Sequence, residues 1–322
     1  MTFQKKQYLD NMPQTNNLEP IRQRPDVSWS HFAVWQKVYD LLEALPNYFK
    51  SEIVIKGINV TDIYAVGSLF SAVIESQIVD MLNKLRNIWD EDNQYSNYVF
   101  IRQSQTFPDI LFVNIQNNND VVFGIELKAW YVFSKESEPS FRYTVDPDAC
   151  AKPDLLVVIP WFLSEVISGS PSLMSPYIEL GKYAAEYRNF YWTKSRETST
   201  RSPSIIRPPI SFRHPYPQSK VEASDKAEGD KGNNFGRIAR AGLLDDYLVK
   251  IKMIDYLGIR VVHWMKFFKA MSENKTSAEI DKQLDGILAS IISEIDATRT
   301  VPEYQKTLQS IIENIKMLKA DL

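Results

Sequence analysis

The sequence predicts an α/β fold, with a mixed β-sheet core flanked by helices and with additional helical N- and C-terminal parts. Apolar residues recur at helical spacing in long segments toward both ends of the chain. The middle of the chain instead holds short runs rich in β-branched and aromatic residues, which are typical of strands. Hydrophobic residues make up 44% of the 322 residues, which is enough to build a substantial core. The predicted order is therefore helix, mixed sheet and helix.

The first part of the chain is predicted to be mainly helical. Residues 1–27 are rich in Gln, Asn, Pro and charge, and we expect them to form an arm. Apolar residues at helical spacing predict a helix over 29–45, with Pro46 at its end. A longer amphipathic helix is expected from residue 61 or 68 to residue 89. Between the two helices, residues 53–58 are expected to form a short strand.

The predicted sheet follows these helices. Runs of β-branched and aromatic residues predict strands at 98–102, 109–115 and 121–132. The polar segment 116–120 separates the last two, as expected for a hairpin connection. The wholly apolar run at 155–159 predicts a buried central strand.

Helices are expected again after the sheet, interrupted by a long loop. Residues 175–192 are predicted to be helical, and residues 193–235, rich in Pro, Ser and Arg, are predicted to be a loop. Helices return over 235–271, followed by a terminal helical hairpin at 277–295 and 301–318. The apolar stripes of this hairpin fit a dimer contact or packing on the chain's own core.

These patterns divide the chain into four parts. They are an N-terminal arm and helix at 1–60, a core at 61–195, a basic Pro/Ser-rich loop at 196–235, and a C-terminal helical region at 236–322.

The charge is distributed unevenly along the chain. The formal net charge is only -3, so the total does not indicate a nucleic-acid partner. Residues 182–240, however, contain twelve Lys or Arg against six Asp or Glu. Such a basic stretch fits a DNA-contacting face, and it equally fits a solvated surface loop.

Several classes of site are excluded by composition. Cys150 is the only cysteine, which excludes an intrachain disulfide and a cysteine-based zinc site. His31, His214 and His263 are far apart and lack metal-ligand spacing. No phosphate-cradling Gly-X-X-X-X-Gly-Lys-Ser/Thr run occurs, so no nucleotide cofactor is expected. Without a signal peptide or an apolar span, we expect a cytoplasmic protein with no membrane partner.

The residues that suit chemistry lie on the predicted hairpin. Pro108-Asp109 opens its first arm, and Glu126-Leu127-Lys128 lies well along the second. Because side chains alternate along a strand, Glu126 and Lys128 are expected on one face, near Asp109. Two carboxylates suit Mg²⁺, a hard cation that prefers oxygen ligands, and an ammonium group suits the orientation or deprotonation of a water. An acid-X-Lys tripeptide also occurs at Glu273, but there it lies in a polar turn between predicted helices.

These residues match the signature of the PD-(D/E)XK nuclease superfamily, and the stretch over 68–192 resembles a type II restriction endonuclease. The resemblance implies a restriction-endonuclease-like fold for the mixed sheet and its helices. It implies that Asp109 and Glu126 ligate Mg²⁺ and that Lys128 acts at the attacking water. In many members a glutamate on the preceding helix supports the site, and Glu75 is the matching position here.

The basic stretch supplies candidate DNA contacts. Arginine suits bidentate reading of guanine, although phosphate contact is its more frequent role. The candidates are Lys182, Arg188, Lys194, Arg196, Arg201, Arg207, Arg213, Arg237 and Arg240.

Together these inferences predict a type II restriction endonuclease that hydrolyses phosphodiester bonds of double-stranded DNA at a short specific site with Mg²⁺. A homodimer is expected from the family, since two strands need two active centres. One alternative is a nuclease of repair, transposition or phage defence without a fixed site. Another is a non-catalytic DNA-binding protein on the same fold. The absence of a helicase or recruitment module favours restriction, and the intact Asp109, Glu126 and Lys128 argue against binding alone.

Overall fold

The structure is a computed structural model of the chain. It describes residues 18–60, 62–103, 106–230, 234–271, 275–298 and 310. Its helices are α1 (Phe32–Glu43), α2 (Leu45–Tyr48), α3 (Ile63–Lys84), α4 (Arg86–Trp89), α5 (Gly181–Lys194), α6 (Asp245–Met253), α7 (Val261–Ala270) and α8 (Ser277–Thr298). Its strands are β1 (Tyr98–Arg102), β2 (Ile110–Asn114), β3 (Asn117–Tyr131), β4 (Leu155–Leu163), β5 (Pro171–Leu173), β6 (Tyr177–Leu180), β7 (Ile205–Ile206), β8 (Lys226–Ala227), β9 (Asp255–Tyr256) and β10 (Ile259–Arg260).

A six-stranded mixed sheet forms the centre of the fold. Its order is β1-β2-β3-β4-β5, and β6 also pairs with β4. Strands β1, β2 and β3 form an antiparallel meander, whereas β3 and β4 run parallel. Both β5 and β6 are antiparallel to β4. The predicted mixed α/β architecture is therefore confirmed.

Strand β4 is the buried centre of this sheet, as its sequence predicted. All of its residues except Phe162 are buried, because neighbouring strands and helices cover an almost continuous apolar run. Helix α3 packs against β3 and β1, and helix α5 packs against β4 and β6.

The N-terminal helix belongs to the same core. Trp35 of α1 is fully buried, and its indole Nε1 donates a hydrogen bond to the carbonyl of Pro153, 2.8 Å away, just before β4. The strand predicted over 53–58 is wrong. Only Ile55 meets a partner there, in an isolated bridge to Gly169, so no ladder extends along the segment.

Three predicted boundaries differ in the structure. The helix expected from residue 175 begins at Gly181, because Tyr177–Leu180 pairs with β4 as strand β6. Strand β3 begins at Asn117, inside the predicted hairpin connection. The helices expected over 235–271 are separated by the short β9–β10 hairpin.

Helix α8 uses its apolar stripe within the chain. Leu284 and Ile287 pack against the hydrophobic core, and Ile291 is part of it. The predicted helix over 301–318 lies outside the described residues. Within the described part of the chain, no helix is long and apolar enough to cross a membrane.

Candidate active site

The β2–β3 hairpin brings the two predicted carboxylates together. Pairing of Ile110 with Ile125 places Asp109, which immediately precedes β2, beside Glu126 on β3. The Asp109 amide donates a hydrogen bond to Glu126 Oε2 at 3.2 Å. In return, the Leu127 amide donates to Asp109 Oδ2 at 3.1 Å. The backbone of each strand thus holds the acid of the other.

Lys128 lies on the same face as both acids. Its ammonium nitrogen is 2.9 Å from Asp109 Oδ2 and 2.8 Å from Glu126 Oε1. Burial alone would lower the pKa of Lys128, but the charges of Glu126 and Asp109 outweigh it and raise the pKa above its ordinary value. Lys128 is therefore a cation at neutral pH.

A second lysine, absent from the sequence-based site, also reaches these carboxylates. Lys220 Nζ lies 3.2 Å from Asp109 Oδ1 and also donates a hydrogen bond to Glu126 Oε1. Lys220 belongs to the loop predicted over 196–235 and is 94 residues from Glu126 in sequence. No local motif marks it, and the basic composition of its stretch was the only available signal.

The two carboxylates are shielded from solvent to different degrees. The Glu126 side chain is only 1% exposed, whereas that of Asp109 is 25% exposed. Burial alone would raise the pKa of Asp109, but the ammonium groups of Lys128 and Lys220 outweigh it and hold the pKa below its usual value. Asp109 is therefore a carboxylate at neutral pH.

Glu75 lies at the edge of this site. It extends from α3 toward β3, where its Oε1 accepts a hydrogen bond from the Ala129 amide at 3.3 Å. Close approach of α3 to β3 depends on Gly67, since a β carbon there would lie 3.0 Å from Tyr131 Cβ. Burial raises the pKa of Glu75, and the nearby Lys128 ammonium opposes that shift. The structure thus brings together all four predicted catalytic residues.

Neighbouring residues hold the backbone of Asp109 in place. Gln103 donates its side-chain amide to the Pro108 carbonyl at 2.9 Å and its backbone amide to the Asp109 carbonyl at 2.7 Å. The Pro108 ring, which follows a cis peptide bond, lies on Gly124 of β3. A β carbon at Gly124 would be only 2.1 Å from Pro108 Cγ, so only glycine fits between the two strands here.

A separate buried acid, Asp154, ties three segments together beside the hairpin. Its carboxyl oxygens accept hydrogen bonds from the Gly124 and Ala151 amides, both at 2.7 Å, and from the Tyr216 hydroxyl at 2.9 Å. Burial raises the pKa of Asp154 to about 7 against these three hydrogen bonds. Asp154 therefore links β3, the start of β4 and the 196–235 loop.

The predicted DNA contacts lie in different environments. Arg188 is 2% exposed and buried, with its guanidinium paired to Asp225 and donating to the carbonyls of Tyr143 and Val145. Its place in the interior is inconsistent with the predicted role on a DNA-contacting surface. The basic residue pattern missed this because charge alone does not reveal a buried partner 37 residues away.

Three other candidates are paired with acids. Arg207 binds Asp146 and Asp148, each at 2.7 Å, and Lys182 lies 3.8 Å from Asp148. Lys194 pairs with a neighbouring glutamate, Glu197, at 3.0 Å. In contrast, Arg213 donates to the Pro208 carbonyl and makes no ion pair within the described residues.

The remaining four candidates form what we call the arginine pocket. Arg196, Arg201, Arg237 and Arg240 line one cavity of about 320 Å³ at the C-terminal end of α5. Arg237 and Arg240 pair there with Glu136 and Glu138. Arg196 and Arg201 make no ion pair with any residue that the structure describes, and Arg196 packs on the Trp192 ring. The pocket therefore carries excess positive charge.

The carboxylate oxygens of the candidate active site suit a cation that takes only a few of its ligands from the protein. Asp109 Oδ1 and Glu126 Oε1 both accept from Lys220 Nζ, so these two oxygens converge on one cationic position. The described residues contain no group of three or more His, Cys, Asp or Glu that could hold a metal ion. Any divalent ion here would take two carboxylates and complete its shell with other oxygens, as Mg²⁺ commonly does.

Comparison with protein-family models, with curated proteins and with solved structures found no match to this chain.

Proposed function

We propose that the chain is a Mg²⁺-dependent DNA endonuclease of the PD-(D/E)XK type, with Asp109, Glu126 and Lys128 at its active centre. The single observation that carries the proposal is the convergence of these three side chains on one face of the β2–β3 hairpin. Glu126 is almost fully buried, and Asp109 lies beside it. Burial of two neighbouring carboxylates costs desolvation free energy, so a purely stabilising role explains this arrangement poorly.

Asp109 and Glu126 would hold the metal ion. Their oxygens already converge on a cation, and hard oxygen ligands with room for water suit Mg²⁺. When bound, the ion supplies an activated water and offsets the charge that develops on the scissile phosphate.

Lys128 would act through its charge. Its raised pKa keeps the ammonium protonated, which disfavours a role as general base in the metal-free site. A fixed ammonium 2.9 Å from Asp109 can orient the attacking water and stabilise negative charge on the phosphate. Glu75 would hold β3 in place through Ala129 and add negative charge beside Lys128.

Double-stranded DNA is the proposed substrate, and the arginine pocket is the proposed phosphate contact. Arg196 and Arg201 line this pocket and make no ion pair with any residue that the structure describes, so their charges are available to phosphates. We propose the type II restriction class, acting at a short specific site as a homodimer, because the chain carries no helicase motif and two strands need two active centres.

Conservative variants test this proposal. Asp109→Asn and Glu126→Gln should abolish Mg²⁺-dependent cutting of plasmid DNA while retaining DNA binding in gel-shift assays. Normal cutting by either variant would refute the site assignment. Mg²⁺-dependent degradation without discrete products would instead favour a nuclease of repair, transposition or phage defence. Binding without cutting by the wild type under any divalent ion would favour the non-catalytic alternative.

A further inference from the structure

The segment that carries Lys220 is firmly anchored to the rest of the fold. The Asp146 amide donates to the Ala223 carbonyl at 2.9 Å, and the Asp225 amide donates to the Thr144 carbonyl at 2.8 Å. Ser224 Oγ donates to the carbonyl of Lys220 itself at 2.6 Å. Ala223 is fully buried. Lys220 therefore lies on a hydrogen-bonded turn, although the sequence of its loop, rich in Pro and Ser, predicted no regular structure.

A buried ion pair holds the far end of this turn. Asp225, which is 1% exposed, binds the Arg188 guanidinium and the Asn189 amide, both from α5. Removal of one partner from a buried pair leaves an uncompensated charge and is strongly destabilising, so Asp225 and Arg188 depend on each other. A continuous set of contacts thus runs from α5 through Asp225 to Lys220 and on to the two carboxylates.

The net charge of the site indicates how Lys220 would respond to a metal ion. Asp109 and Glu126 supply two negative charges, and Lys128 and Lys220 supply two positive charges within contact distance. These four charges balance one another, and Glu75 adds one further acid beside Lys128. A divalent cation added to this largely buried set would still leave positive charge in excess. Release of Lys220 lowers that excess. It frees Asp109 Oδ1 and removes one of the two ammonium groups that contact Glu126 Oε1, leaving that of Lys128. The Lys220 side chain is 31% exposed, so its ammonium has a route to solvent.

We infer that Lys220 competes with the metal ion: its ammonium bridges Asp109 Oδ1 and Glu126 Oε1, and Mg²⁺ would bind by displacing it. This inference rests on the proposed function, because it takes Asp109 and Glu126 as the metal ligands. It assigns Lys220 a regulatory role that keeps the site closed to the ion until the lysine leaves.

Calorimetric titration with MgCl₂ in the absence of DNA tests the competition directly. Lys220→Met should bind Mg²⁺ at least about tenfold more tightly than the wild type, because one competing charge is removed from a partly exposed site. Lys220→Arg keeps the positive charge and should bind no more tightly than the wild type. Lys226→Met, on β8, is the matched control, since it removes an exposed lysine nearby and should leave the affinity unchanged.

A labelling experiment supplies an independent readout on the unaltered protein. Acetylation of Lys220, followed by mass spectrometry, should increase when MgCl₂ is added, while acetylation of Lys226 should stay constant. Equal Mg²⁺ affinities of the wild type and Lys220→Met, or metal-independent labelling of Lys220, would overturn the inference and leave the proposed metal site intact. Absence of Mg²⁺ binding by both proteins would overturn the proposed site and the inference together.

Discussion

Substitution of Gly124 by alanine tests whether the hairpin sets the geometry of the candidate active site. A β carbon at position 124 would lie 2.1 Å from Pro108 Cγ and 3.2 Å from its Cβ and Cδ. Carbon atoms in contact are normally about 3.5–4.0 Å apart, so the proline ring has to move by roughly 1.5 Å. Asp109 is the next residue and has to move with the ring.

The size of the effect follows from this displacement. Overpacking of a core position costs about 1–3 kcal/mol of stability. A misplacement of about 1 Å at a reacting group costs about 100-fold in rate. We therefore expect Gly124→Ala to lower the free energy of unfolding in urea by about 1–3 kcal/mol. Under folding conditions, the rate of DNA cutting by this variant should fall by about 100-fold.

Gly286→Ala is the matched control. Gly286 lies in α8, and no heavy atom lies within 4 Å of an added β carbon. Alanine there should raise stability by roughly 0.5–1 kcal/mol, as for a glycine in a helix interior, and leave cutting unchanged. A Gly124→Ala protein that unfolds and cuts like the wild type would refute the argument that this contact positions Asp109.

Further predictions concern charge. Lys128→Met should fold but cut DNA at least about 100-fold more slowly, and an unchanged rate would remove this lysine from the mechanism. Arg188→Met should lower the unfolding free energy by about 3–5 kcal/mol by leaving the buried Asp225 carboxylate without its cation, whereas the exposed control Arg201→Met should change it by less than about 0.5 kcal/mol. Because the pKa of Asp109 is depressed, its charge stabilises the fold above its ordinary pKa, and this contribution is lost as the pH falls through the folded-state pKa. The stability difference between wild type and Asp109→Asn should therefore shrink in urea titrations as the pH falls from about 5 to about 3, and a pH-independent difference would contradict the assignment. Alanine at Arg196 and Arg201 together should weaken DNA binding and flatten its salt dependence, and an unaltered salt slope would remove the arginine pocket from the interface.

Much of the candidate site could be predicted from local sequence because its geometry is local. Strand alternation places Glu126 and Lys128 on one face, and a short hairpin returns the chain to Asp109. The Glu75 position was implied by the family resemblance, and the helix that carries it packs on the same strand. The placement of these four side chains is as expected, whereas their chemical roles remain predictions.

Long-range contacts explain what the sequence could not reveal. Lys220 reaches the site from 94 residues beyond Glu126, and no spacing rule relates the two. Arg188 looks like any surface cation in a basic stretch, yet Asp225 holds it in the interior. Strand β6 was missed because its four residues gain strand geometry only by pairing with β4, which is a tertiary effect.

The most direct test of the central claim is a digest of unmethylated phage DNA by the purified protein, in MgCl₂ and in EDTA, with Asp109→Ala alongside. We predict discrete and reproducible fragments with the wild type in MgCl₂, and intact DNA in EDTA and with the variant. Fragments that persist in EDTA, or that Asp109→Ala produces as well as the wild type, would contradict a metal-dependent active centre at this hairpin.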